Sequence, residues 1–73
     1  MNTINLPLMP QNYYGNFPAV TNLKIGDVLY VGPPSSCQEM TVTSLEQKSN
    51  TVVITTDKAI LISNTITRVN RKG

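Results

Sequence analysis

The chain has 73 residues, a formal charge of +2 and a single cysteine. A chain this short makes one domain and buries only about 60% of its unfolded surface, so its own core leaves a thin margin of stability. One cysteine excludes an intrachain disulfide and the absence of histidine argues against a structural zinc site, which leaves self-association as the common remaining support.

The basic bias is mild beside that of a dedicated nucleic-acid binder, although Arg68, Arg71 and Lys72 cluster in the last six positions. There is no basic segment followed by an apolar leader, and no apolar run approaches the roughly 20 residues that span a bilayer. A protein without a membrane anchor is expected, cytoplasmic or inside a virus particle, with Cys37 as a reduced thiol.

Residues 1–21 contain Pro7, Pro10 and Pro18 together with Asn2, Asn5, Asn12, Asn16 and Gly15. Proline removes backbone donors and pushes the preceding residue toward extended conformations, so neither a helix nor a central strand fits here. The segment reads as an extended arm, and residues 22–73 as the barrel. Ile4, Leu6, Leu8, Met9, Tyr13, Tyr14, Phe17 and Val20 make the arm too apolar for a solvated tail. It packs either along its own barrel or across a neighbour, with Leu6, Leu8, Tyr13, Tyr14 and Phe17 as candidate interface anchors.

Gly26-Asp27 supplies turn chemistry ahead of a first strand, with Val28 and Tyr30 on one face and Leu29 and Val31 on the other. Pro33-Pro34 then stiffens a loop that holds Cys37, where no histidine exists to activate the thiol. Residues 39–47 read as a long second strand. Met40 and Val42 share one face and Leu45 takes the other, a slip of one residue that predicts a bulge near Ser44. Lys48-Ser49-Asn50 turns into a strand at residues 51–56, Asp57-Lys58 into one at 59–63, and Asn64-Thr65 into a last one at 66–70. The expectation is an all-β fold: a small, strongly bent, five-stranded antiparallel barrel with an extended proline-rich N-terminal arm, the alternative being an OB-like barrel.

Two segments carry a family resemblance. In residues 45–53, Glu46 and Asn50 stand four apart before an apolar strand, which resembles the first signature of Sm and Sm-like proteins. Residues 62–69, in which Asn64-Thr65-Ile66 leads into an alternating strand, resemble the second. The Gly-Asp opening of the first strand is also similar to that of SH3-like small barrels. Departures accompany the match. The proline-rich arm stands where Sm proteins have a helix, Met40 and Ser44 where their second strand bends at glycine, Lys48 where an aromatic or histidine stacks on a base, and Ile62-Ser63 where the second signature has Arg-Gly. The resemblance implies a ring of copies paired edge to edge through the last two strands, with Lys48, Ser49, Asn50, Ser63 and Asn64 facing a pore. Asparagine amides suit base edges and Lys48 a phosphate, as does Arg68 of the C-terminal basic cluster. All of these are also ordinary turn residues.

The acids Asp27, Glu39, Glu46 and Asp57 are not placed near a base or a ligand set, so no catalytic residue, metal, cofactor or small-molecule substrate is expected. Two functions remain. One is a homo-oligomeric barrel that binds RNA or single-stranded DNA through its turns. The other is a structural assembly protein, similar in style to small bacteriophage particle components, whose arm clamps neighbours.

Overall fold

Alternating β-branched residues between short polar turns set the pattern of the fold. The computed structural model describes residues 2–12 and 14–73, which form six strands and one short 3-10 turn at Val20–Asn22. The strands are β1 (Asn2–Asn5), β2 (Val28–Val31), β3 (Gln38–Lys48), β4 (Thr51–Thr56), β5 (Ala59–Asn64) and β6 (Asn70–Arg71). They make one curled, barrel-like sheet in the order β1-β5-β4-β3-β2-β6. Among the described residues no helix is long and apolar enough to cross a membrane.

The consecutive pairs from β2 to β5 are antiparallel, as the turn spacing predicts. The expected bulge is present, because the β3–β4 register shifts between Val42 and Ser44. It lets β3 bend, so that its first half pairs with β2 and its second with β4. Asp57 Oδ1 accepts the Thr41 N–H at 2.9 Å, and the Thr43 hydroxyl donates to the Thr55 carbonyl, which ties the bend to its neighbour strand.

One face of the sheet is apolar and points inward. Leu29, Met40, Val42, Val52, Ile54, Ala59 and Leu61 form its core with Val20, Leu23 and Val69, and Ile4, Leu6, Val31 and Leu45 pack against them. Each fully buried Leu or Ile contributes about 1.5–3 kcal/mol relative to an exposed one, so a handful of side chains carries the domain.

Two differences from the five-strand expectation have clear causes. The arm contributes a strand of its own: β1 pairs in parallel with β5, placing Asn2 opposite Ala59 and Asn5 opposite Ile62. An edge strand is the kind of strand that nearby prolines permit. The last strand runs over Asn70–Arg71 and shares only Asn70 with the expected 66–70, because the arm takes backbone groups of Thr67, Arg68 and Val69 and the residues before them are turned by Asn64. Its Oδ1 accepts the Ile66 N–H, and its own N–H donates to the Thr67 hydroxyl oxygen.

The rest of the arm packs on its own barrel. Asn16 exchanges backbone hydrogen bonds with Arg71, Val20 donates to Thr67, Val69 to Pro18 and Arg68 to Leu8. Gly15 makes this approach possible: it holds φ +71°, and a Cβ there would run into the Arg71 carbonyl oxygen. Asn70 is fully buried, and its Nδ2 donates to both the carbonyl and the side-chain oxygen of Asn12. Asn12 in turn donates to the Gly32 carbonyl at 2.9 Å. One amide pair thus joins the arm, β6 and the loop after β2.

Candidate functional site

The β3–β4 hairpin and the turn after β5 come together at one end of the sheet. Thr51 pairs with Asn64 and Val52 with Ser63, and the Thr65 N–H donates to the Asn50 carbonyl at 3.0 Å. Asn50, Ser63 and Asn64 therefore border a common open recess of about 300 Å³, together with Asn5 and Leu6 of the arm, Thr51 and Ile62. Asn5 had no signal in the sequence. Only the parallel pairing of β1 with β5 brings it here.

The chemistry of the recess is that of neutral amides. Among the described residues the Asn5 and Asn50 side chains and Asn64 Nδ2 make no hydrogen bond, so each amide can still donate, and those of Asn5 and Asn50 can also accept. Ser63 is different. It is buried, and its hydroxyl donates to the Val52 carbonyl at 3.2 Å. Ser49 sits at the hairpin tip with φ +51°, a left-handed conformation that L residues adopt at a cost.

The cations near this end are already engaged. Lys48 Nζ lies 2.9 Å from Glu46 Oε1 on the exposed face, and the Glu46 hydrogen bond and charge raise the Lys48 pKa above its ordinary value. Arg68 lies elsewhere: its Nη1 donates to the Phe17 carbonyl at 2.8 Å, and it lines a second, larger cavity. Two further basic groups also face acids, Arg71 with Asp27 at 3.6 Å and Lys72 with Glu39 at 3.3 Å.

The larger cavity, about 450 Å³, lies between the arm and the mouth of the sheet. Ile4, Leu6, Met40 and Val69 give it apolar walls, while Asn70, Gln11 and Gln38 supply amides and Lys58 and Arg68 supply charge. Lys58 is a second residue the sequence did not single out. Its Nζ donates to the Glu39 carbonyl at 2.7 Å.

Of the interface candidates, Leu6 and Phe17 are partly buried, Leu6 against the core. Leu8 and Tyr14 stay exposed by 54% and 50%, and Met9 by 54%. Tyr14 meets Tyr30 edge to face at 6.0 Å between ring centres. Tyr13 lies outside the described residues. The Arg68–Leu8 backbone bond brings the Leu8–Met9 corner within two residues of Ile66, which is 69% exposed.

No family model, curated protein or solved structure matches the chain.

Proposed function

We propose that the chain is a non-enzymatic assembly module, a small barrel that works by holding a neighbouring protein surface. The observation that carries this reading is the state of the arm. Its backbone and half of its apolar side chains serve its own barrel, yet Leu8, Met9 and Tyr14 remain about half exposed on a domain with little core to spare. Large apolar side chains that burial at home does not consume are the usual currency of an interface.

The test is replacement of Leu8 and Met9 by Gln and of Tyr14 by Ser. None of the three is buried, so the fold should persist, with an unchanged near-ultraviolet spectrum as control. Self-association measured by sedimentation at rising concentration should weaken by about tenfold or more, the loss expected when one or two apolar side chains leave an interface. Unchanged association would mean that the exposed side chains of the arm hold no neighbour. Removing residues 1–20 is no substitute, because Val20 belongs to the core.

A second reading is favoured by the amide recess. Asn5, Asn50 and Asn64 offer donors and acceptors suited to the edges of unpaired bases, at the turns where the Sm-like resemblance places RNA contacts. With Lys48 beside Glu46, phosphate attraction is modest and the salt dependence shallow. Titration of mixed RNA and single-stranded DNA at low salt decides it, and no binding there removes it.

A further inference from the structure

The open edge of β1 decides how such a module meets a neighbour. The Leu6 N–H donates to the Ile62 carbonyl at 2.8 Å, which fixes the phase of the parallel ladder. In that phase the backbone groups of Asn2, Ile4 and Leu6 face β5, and the N–H and C=O of Thr3 and Asn5 face away from it. Among the described residues nothing bonds to those outward groups. A bare edge of this kind is a template for another strand, and proteins commonly blunt one with charge or proline. This one has neither: β1 is Asn-Thr-Ile-Asn, and the first charged side chain in the sequence is Lys24.

The far edge of the sheet is closed. Asn16 caps Arg71 of β6 in both directions, and Pro18, Val20 and Leu8 take the backbone groups of Thr67, Arg68 and Val69. The second half of β3 pairs with β4 alone and so has an open side as well, but it carries Glu46 and Lys48, charged side chains of the kind that blunt an edge and that β1 lacks. An edge that pairs with its own copy gives a closed two-fold dimer, and since β1 carries no charged side chain its self-pairing meets no like-charge repulsion along the strand.

We propose that two copies of the chain join β1 to β1 in antiparallel register, Thr3 of each copy exchanging both backbone bonds with Asn5 of the other and Ile4 facing Ile4 across the two-fold axis. This rests on the assembly reading and names its partner as a second copy. Exposed Leu8 and Met9, just beyond the strand, supply apolar surface beside the seam. The contact is small, so the dimer is weak and concentration-dependent.

Two measurements on the full chain test it. Amide exchange read residue by residue should show Ile4 and Leu6 protected at every concentration, while Thr3 and Asn5 become protected only as the sedimentation mass rises from one chain to two. Thr3→Pro removes an outward donor without touching the β5 ladder, and should hold the chain at the mass of one copy with its fold intact. A chain that stays single at about 1 mM overturns the proposal. So does a dimer in which Thr3 and Asn5 exchange freely, or one that survives Thr3→Pro. If association persists in Thr3→Pro but fails in the Leu8, Met9 and Tyr14 variant, the edge is wrong and the assembly reading stands. If the reverse holds, the edge stands and the apolar corner is not what holds the copies.

Discussion

The hairpins of β3–β5 and the arm before β2 are held by different physics. In the hairpins, neighbours in sequence are neighbours in space, and their inward side chains, Ile54 and Leu61 among them, are wholly removed from water. In the arm the anchoring partners lie some fifty residues away, and most of the attachments are polar: backbone bonds from Asn16, Pro18, Val20 and Leu8, and the Asn12–Asn70 amide pair. Burial of apolar area is stabilising almost wherever it occurs, whereas a buried hydrogen bond adds little net stability and costs more when half of it is lost. Losses in the hairpins should therefore be global, and losses in the arm should be local.

The largest effect is expected from the hairpins. Leu61→Ala leaves a cavity at the centre of β5, under both β1 and β4, and should cost about 2–5 kcal/mol in urea unfolding. Set against the thin margin of a domain this size, that is enough to populate the unfolded state. A loss below about 1 kcal/mol would mean that the hairpins are not the seat of stability.

Asn70→Ala comes next. It strips the Asn12 carbonyl and side-chain oxygen of their donor in a dry setting, at about 1–3 kcal/mol. The readout that separates the regions is amide exchange. Val20, Val69 and Arg71 should lose protection while the β4 and β5 amides keep theirs, and uniform loss would erase the distinction drawn between hairpins and arm.

These two positions also show what the sequence displayed. A period of two residues is visible wherever strands lie next to each other in sequence, so β2 to β5, their inward residues and the bulge before Ser44 were legible. The meeting of Asn50 with Ser63 and Asn64 entered only as an implication of the Sm-like resemblance; in the structure it is the β4–β5 pairing that brings them to one end of the sheet. Strand β1 was not legible, because no local pattern distinguishes a short edge strand from a proline-rich arm. Its place, and hence the part Asn5 plays in the recess, is set by bonds to β5 at a separation of nearly sixty residues. Asn12 read only as part of the arm and Asn70 as the end of the last strand, and nothing local to either pairs the two buried side chains.

A smaller effect is expected at Gly15. Alanine there meets both a left-handed φ and the Arg71 carbonyl, so the backbone must give way. The left-handed conformation alone costs about 1–2 kcal/mol, and the chain can recover part of any further clash by releasing the Asn16–Arg71 bridge. Exchange at Arg71 and Asn16 should speed up with little change elsewhere. Cooperative loss of the whole sheet would show that the arm is part of the hairpins' own folding unit.

Smallest of all is Glu46→Gln, which asks whether charge supports the hairpin tip. The Glu46 hydrogen bond, and after it the Glu46 charge, raise the Lys48 pKa, so any stability the pair adds is complete below lysine's unfolded pKa and fades only as the pH climbs through the raised folded value. Over the neutral range the contribution is therefore constant, and since both side chains stand in water it is small. Glu46→Gln should leave the thermal midpoint where it is, and a shift of more than about 4 °C would place real stabilisation at the tip. The same variant frees the Lys48 ammonium, and the low-salt titration with single-stranded nucleic acid then becomes informative. Tighter binding by Glu46→Gln than by the native chain would mean that Glu46 was masking a phosphate contact, and equal binding would leave the amide recess with no help from charge.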